Sequence, residues 1–354
     1  MVQVDLITGF LGAGKTTFLR KYVRWLNARG QRVCILENDF GAVNVDVMLL
    51  QDLLGDNCDI ETISGGCDCD THQRRMRTKL ISLAMQGFDR VLVEPSGIFD
   101  VDEFYDVLRD EPLDRWYTLG NVIAIVDALL EPQLSPQGEY LLASEAASAG
   151  MVLMSRCQQA APGQADATLA HLNRALEACR CARRFAADTD ALCKPWDALT
   201  DADMQRLDSC GHRQASYVKL HFDEHEAFTS LYFMELPLTL PALQTAAQQI
   251  FADPACGHIL RIKGFLREDD GWKELNATRD TLHVEAVPDG QEVVIVIGEG
   301  VNRDVVERYL AMDGKTRASV TGHPAAGSLN KRHSAVRCSF WNPKRNRKGS
   351  RYFR

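Results

Sequence analysis

The sequence contains no run of about 18 apolar residues, which is the length that a membrane-spanning helix needs. Its first residues, MVQVDLITGF, show neither the basic stretch nor the small-residue cleavage site of a signal peptide. A histidine-rich tract is also absent. We therefore expect a cytoplasmic protein with no membrane partner.

Acidic residues are missing from the end of the chain: residues 314–354 hold eleven Lys and Arg but no Asp or Glu. Trp341, Tyr352 and Phe353 lie among these basic residues, so phosphate contacts and base stacking are conceivable there. No signature of an RNA-binding fold accompanies them. We expect a solvated, disordered tail and no nucleic-acid partner.

The sequence contains eleven cysteines, an odd number that cannot pair completely in disulfides. In a reducing cytosol they should remain thiols, which makes metal binding a better expectation than a disulfide framework.

A length of 354 residues favours two domains over one. Short, mostly apolar runs suit strands that are covered on both faces, as in a parallel sheet. They lie at 2–8, 32–39, 90–96, 121–128 and 150–155. Helix-like stretches separate them, so this half is expected to be an α/β, doubly wound domain with a mostly parallel sheet.

From about Gln214 the pattern changes to strand-like segments (SYVKLHF, HILRIKGFL, TLHVEAV, EVVIVIG) with two helical pieces. This pattern predicts a second, smaller α+β domain. The expected boundaries are 1–212 for a P-loop nucleotide-binding domain, 213–313 for the second domain and 314–354 for the tail.

The segment GFLGAGKTT follows the first strand and precedes a helix. Gly9, Gly14, Lys15 and Thr16 fit the pattern GxxxxGK[ST], in which backbone N–H groups surround phosphates, the lysine reaches the terminal ones and the hydroxyl binds Mg²⁺. Glycine admits the anion and positive φ, and the helix dipole favours the negative charge. The segment predicts a nucleotide hydrolase.

A second Mg²⁺ contact is expected from an acidic residue that ends another strand. Glu94 in RVLVEPSG fits, and Gly97 would let the backbone approach the terminal phosphate. Asp39 in ENDFG is a second candidate and Glu37 a weaker one. We expect Lys15 and Glu94 to be catalytic. The expected nucleotide contacts are Gly9, Gly12, Ala13, Gly14, Lys15, Thr16, Thr17, Asp39 and Gly97.

Two cysteines stand two residues apart in SGGCDCDT. In an extended segment Cys67 and Cys69 would face one side and could converge on a soft ion, with Asp70 or His72 completing the shell. By spacing alone, the alternative remains that the two thiols bind no metal ion.

The ordered set GFLGAGKTT, ENDFGAVNVD, ISGGCDCD and EPSG resembles the CobW-like branch of the CobW/HypB/UreG GTPases, over roughly residues 2–310. The resemblance implies GTP with Mg²⁺ and a GCxCC motif that binds zinc or a similar transition metal. Gly66, Cys67 and Cys69 match that motif, whereas Asp70 replaces its third cysteine. A carboxylate makes the site harder, so preference should move away from the softest metals.

Members of that family carry an NKxD-like motif whose carboxylate accepts two hydrogen bonds from guanine. Here the corresponding stretch MVLMSRC places Met154, Ser155 and Cys157 at the Asn, Lys and Asp positions. None of the three can make the bidentate contact, so guanine preference should suffer. GTP is expected through the family, and ATP stays open.

We expect a Mg²⁺-dependent nucleotide hydrolase that serves as a metal chaperone or metalloenzyme activator and acts on a client metalloprotein. Thr16 and Glu94 would hold Mg²⁺, and Cys67, Cys69 and Asp70 would hold zinc or a similar ion. The alternatives are an ATP-preferring activator that carries no metal and a nucleotide-binding scaffold with weak hydrolysis. A homodimer is left open.

Overall fold

Two β-sheets organise the chain. The computed structural model describes residues 1–39, 45–64, 69–97, 101–220, 227–234, 236–288 and 290–311. The 314–354 tail, and the expectation that it is disordered, lie outside these residues. Among the described helices, none is long and apolar enough to cross a membrane.

The first sheet has seven strands, all parallel, in the order β3-β2-β4-β1-β5-β6-β7. The strands are β1 (Val2–Thr8), β2 (Val33–Asp39), β3 (Cys58–Ser64), β4 (Arg90–Pro95), β5 (Tyr117–Asp127), β6 (Met151–Ser155) and β7 (Ala191–Cys193). The helices are α1 (Lys15–Asn27), α2 (Val45–Leu50), α3 (Cys69–Ala84), α4 (Val101–Arg109), α5 (Leu113–Trp116), α6 (Pro136–Ala147), α7 (Gln164–Ala178) and α8 (Asp201–Asp208).

Apolar residues cover both faces of this sheet, which explains the continuous apolar runs. In β1, Val4 and Leu6 belong to one core, while Ile7 belongs to the core on the opposite face. In β2, Leu36 faces the first core and Ile35 the second. Side chains that alternate between two buried layers leave no polar face, as in doubly wound sheets. The expected α/β architecture is confirmed.

A buried ionic cluster joins β1, α1, β4 and α8. The Asp5 side chain is fully buried, and its Oδ2 accepts a hydrogen bond from Arg90 Nη1 at 2.9 Å. The same nitrogen donates to the Tyr22 hydroxyl at 2.7 Å and pairs with Asp208 of α8. Burial and the two carboxylates raise the pKa of Tyr22, which keeps its hydroxyl protonated. The cluster fixes the two elements that flank the loop.

The second sheet is antiparallel, with five strands in the order β11-β10-β9-β12-β8. They are β8 (Thr229–Met234), β9 (His258–Glu268), β10 (Gly271–Ala277), β11 (Leu282–Val287) and β12 (Val293–Glu299). Helices α9 (Leu240–Ala252) and α10 (Arg303–Ala311) pack on one face and share its core. This is the small C-terminal α+β unit that the sequence predicts.

Candidate functional site

A cavity of about 830 Å³ lies where the carboxyl ends of the parallel strands meet the second sheet. Its volume falls in the range of small-molecule sites, and open α/β sheets bind ligands at this edge. The predicted residues that line it are Gly12, Ala13, Gly14, Lys15, Thr16, Thr17, Glu94 and Gly97, together with Glu37. The structure thus brings most of the predicted nucleotide contacts together.

Lys15 opens helix α1 and lies at the base of this cavity. Its side chain is buried, and Nζ donates to the carbonyl oxygen of Gly9 at 2.8 Å. The loop from Gly9 to Gly14 therefore curls around the ammonium group. A helix N-terminus with a buried lysine beside it is an anion site by charge and by N–H orientation.

Two glycines let backbone segments approach more closely than any side chain would permit. Gly9 has φ +143°, and a Cβ there would lie 2.3 Å from the carbonyl oxygen of Ile125. A Cβ at Gly97 would lie 2.7 Å from the backbone nitrogen of Leu11. The segment after β4 thus packs directly on the glycine-rich loop, so a change in one can be transmitted to the other.

Thr16 and Glu94 meet in the cavity from different elements. Thr16 Oγ1 donates to Glu94 Oε1 at 2.9 Å, across 78 positions of sequence. Glu94 is 5% exposed and lies one residue before the end of β4. A hydroxyl and a carboxylate oxygen are hard donors of the kind that Mg²⁺ prefers, so the pair fits this ion.

Two more acidic residues lie among the last three positions of strand β2. Glu37 is buried, lines the cavity and is the cross-strand partner of Glu94. Asp39 is the last residue of β2, but its side chain lies outside the described residues. The structure therefore places the weaker sequence candidate in the cavity and leaves Asp39 as a prediction.

The predicted metal ligands fall mostly outside the described part of the chain. Cys67 is among residues 65–68, which are not described, and the same holds for the side chains of Cys69 and Asp70. His72 is fully buried, and burial together with Arg75 lowers its pKa to about 4, which keeps the imidazole neutral. Within the described ranges, no group of three His, Cys, Asp or Glu could hold a metal ion.

Residues 3–186, more than half of the chain, match the family model of the CobW/HypB/UreG nucleotide-binding domain. The chain belongs to this family. The resemblance seen in the ordered motifs is confirmed.

Several relatives in this family carry curated names. Zinc chaperone YeiR of Escherichia coli (strain K12) is 26% identical over 334 residues, covering 84% of this chain and 94% of that protein. Zinc chaperone YjiA of the same organism is 35% identical over 136 residues, covering 36% of this chain and 41% of that protein. The match to YjiA thus spans less than half of its length.

A solved structure of the same group also matches. The crystal structure of the Zn(II)-bound YjiA GTPase from E. coli has 20% sequence identity and a TM-score of 0.34, with 88% of this chain and 98% of that chain covered. The fold is established by this chain's own strand order.

The loop after β6, where the sequence places the base-reading motif, presents other residues to the cavity than those expected from the sequence. Met154 is buried in β6, and its carbonyl accepts a hydrogen bond from Trp196 Nε1 at 3.0 Å. Cys157 does not line the cavity, and its Sγ lies 2.7 Å from Cys193 Sγ. Ser155, Arg156 and Gln158 do line it. Sequence alone did not identify Gln158, because it does not show which side chains of the loop after β6 face the cavity.

Arg156 connects the loop after β6 to the phosphate loop. It adopts a left-handed φ of 54°, pairs with Asp127 and donates from Nη2 to the Gly12 carbonyl at 3.1 Å. Burial raises the pKa of Asp127, against the opposing effect of Arg156. Arg156 thus ties the β6 loop to the phosphate loop, and Gln158 lines the cavity two positions later.

Sequence reasoning missed the contribution of the second sheet to the cavity. Arg261, Lys263, Glu274 and Asn276 line it from β9 and β10. In HILRIKGFL, polar Arg261 and Lys263 alternate with Leu260 and Ile262, which was a signal that one face of β9 is not core. Nothing in the sequence indicated which surface that face would meet.

Proposed function

We propose that this protein is a Mg²⁺-dependent nucleotide hydrolase that couples its nucleotide state to the binding and release of zinc or a similar ion for a client metalloprotein. We place it in the cytoplasm. The nucleotide-binding domain is proposed to span 1–212 and the second domain 213–313. Membership of the family and relatives named zinc chaperones support this assignment.

The hydrogen bond between Thr16 and Glu94 carries the hydrolytic part of the proposal. It brings the start of α1 and the end of β4 to one point beside the buried Lys15. When bound, Mg²⁺ would supply charge stabilisation for the phosphate oxygens, held by the Thr16 hydroxyl and the Glu94 carboxylate. Lys15 and the loop amides would bind the phosphates and orient the terminal one, and Lys15 would stabilise the charge that develops on it.

The placement of the cysteine segment supports coupling to a metal. Strand β3 ends at Ser64, which pairs with Asp39 of β2, and β2 in turn pairs with β4, which carries Glu94. Helix α3 then begins at Cys69. The segment with Cys67, Cys69 and Asp70 thus follows a strand whose carboxyl end lies at the same edge of the sheet as the phosphate loop, so loss of a phosphate could change the geometry of the ligands.

We further propose that Gln158, rather than Cys157, occupies the base-reading position, which favours a second candidate, an ATP-preferring enzyme of the same type. Guanine presents two neighbouring donors, N1–H and the 2-amino group, which a carboxylate accepts together. The Gln158 carboxamide offers one acceptor and one donor, which matches the adenine N1 and 6-amino group instead. Membership of the family keeps GTP as the nucleotide that we propose first, and Gln158 makes ATP the alternative nucleotide.

Turnover of GTP and of ATP by the wild type and by Lys15→Ala tests the proposal. Lys15→Ala should reduce kcat by about 100-fold or more, because the ammonium group balances phosphate charge. Lys21→Ala is the matched control: Lys21 lies on the same helix, pairs with exposed Asp197 and does not line the cavity. Its kcat should equal that of the wild type.

The alternatives give different results. Absence of Mg²⁺-dependent turnover with either nucleotide would contradict hydrolysis and favour a nucleotide-binding scaffold. Zinc affinity that is the same in the wild type and in a Cys67→Ser, Cys69→Ser double variant would contradict the cargo site and favour an activator that carries no metal.

A further inference from the structure

The second sheet contacts the phosphate loop, and Arg261 is one of the residues that make this contact. Arg261 lies on β9, and a Cβ built on Gly12 would meet Arg261 Cδ at 3.8 Å and Thr278 Cγ2 at 3.9 Å. These are ordinary van der Waals distances, so β9 and the turn after β10 pack directly on the loop. The guanidinium nitrogens lie beyond Cδ on a side chain that lines the nucleotide cavity.

Asn276 orients this guanidinium group. Arg261 Nε donates to Asn276 Oδ1 at 3.1 Å, and the two residues lie on neighbouring strands. Because Nε is the inner nitrogen, this bond fixes the plane of the group and leaves the two terminal nitrogens for another acceptor. Arginine presents such nitrogens in a fork that matches two phosphate oxygens.

The pairing of the basic residues that line the cavity indicates an anion as that acceptor. Arg156 pairs with Asp127, and Lys263 pairs with Glu274 at 3.4 Å. For Arg261, by contrast, no carboxylate partner exists among the residues that the structure describes. A half-buried cation that faces a cavity beside a phosphate loop is stabilised when an anion enters, because its charge is otherwise only partly solvated.

We propose that Arg261 binds the phosphate chain of the nucleotide, so that the C-terminal sheet takes part in the nucleotide site. The proposal rests on the function proposed above and adds a residue to it. It also gives the second sheet a direct means of sensing whether the phosphates are present, since the loss of a phosphate removes a partner of Arg261.

The test compares the full-length wild type with Arg261→Ala, Arg261→Lys and the control Arg267→Ala. Arg267 lies on the same strand but does not line the cavity. Dissociation constants are measured in Mg²⁺ for a non-hydrolysable GTP analogue and for inorganic triphosphate, which has phosphates but no base or ribose. Thermal unfolding without ligand checks that each variant is folded.

Arg261→Ala should raise both dissociation constants by a similar factor of about tenfold or more, as expected for a charged phosphate contact. Arg261→Lys should keep part of the affinity, and Arg267→Ala should match the wild type. Unchanged affinities in Arg261→Ala would overturn the proposal. A loss seen for the nucleotide but not for triphosphate would also overturn it, because the contact would then be to the base or ribose. Failure of the wild type to bind triphosphate and the non-hydrolysable analogues of both GTP and ATP would refute the nucleotide function itself.

Discussion

Replacing Gln158 by aspartate should move base preference towards guanine. The variant Gln158→Asp substitutes a carboxylate, which accepts two hydrogen bonds from the guanine edge, for a carboxamide, which can accept only one while opposing the other with its own donor. The position is set by the structure: Gln158 lines the cavity two residues after Arg156, whose guanidinium is held by Asp127 and the Gly12 carbonyl.

The size of the change follows from exposure. Hydrogen bonds to charged groups contribute about 1.5–3 kcal/mol when buried, which corresponds to roughly 10- to 150-fold in affinity. Gln158 is exposed, so the lower end applies. We predict that the ratio of the ATP to the GTP dissociation constant rises by about tenfold.

Competition of GTP and ATP against a fluorescent nucleotide on the two proteins measures this ratio. Gln159→Asp is the matched control, since it makes the same charge change one residue further along the same loop and also lines the cavity. The control should leave the ratio near the wild-type value. An unchanged ratio in Gln158→Asp would refute the assignment of Gln158 to the base-reading position. A shift of the ratio in Gln159→Asp but not in Gln158→Asp would refute it too.

Three further predictions concern the frame of the site. Arg90→Ala should lower the free energy of unfolding by about 3–5 kcal/mol, since it leaves the buried Asp5 carboxylate without its cation; a loss under 1 kcal/mol in urea denaturation would contradict this. Gly97→Ala should weaken nucleotide binding and lower Tm, because its Cβ would clash with backbone, whereas Gly55→Ala, with nothing within 4 Å, should do neither. Asp203→Ala should lower the free energy of unfolding by about 1 kcal/mol, because it removes the N3 member of the capping box that Asp203 forms with the N-cap Thr200. Hydrogen bonds from Lys194 and Thr200 lower the pKa of Asp203 to about 2. The loss of stability in Asp203→Ala should therefore be constant above about pH 4 and shrink as the pH falls towards 2. A loss that grew on acidification would contradict this role of Asp203.

The glycine-rich loop was predictable because its chemistry lies in contiguous residues. The strand before Gly9 and the helix after Lys15 are both encoded locally, by an apolar run and by apolar residues at helical spacing. The partner Glu94 was also predictable, since it ends an apolar run and the carboxyl ends of parallel strands meet at one edge of the sheet.

Strand pairing was predicted less well where the apolar pattern is weak. Strand β3 was not predicted, because it lies at the edge of the sheet and its middle residues are only half-buried. The segment SYVKLHF looks like a strand, but its described residues 216–220 form none, while β8 follows at Thr229–Met234. Both segments are rich in residues that favour strands, and only tertiary packing selects between them.

Two features of the site required the structure. Which residues the loop after β6 presents to the cavity depends on its backbone, including the left-handed φ of Arg156, and the apolar run at 150–155 does not determine this. The approach of Arg261 to Gly12 joins segments about 250 positions apart, and local sequence carries no information about such a contact.

The most direct test of the central claim measures zinc affinity in two nucleotide states. The protein is saturated either with a non-hydrolysable GTP analogue or with GDP, in Mg²⁺, and Zn²⁺ is titrated by calorimetry or against a chromophoric chelator. Coupling between two sites of a protein commonly amounts to about 5- to 150-fold in affinity. We predict a difference of at least about fivefold between the two states, abolished in the Cys67→Ser, Cys69→Ser double variant. Equal zinc affinity in the two states would contradict the account.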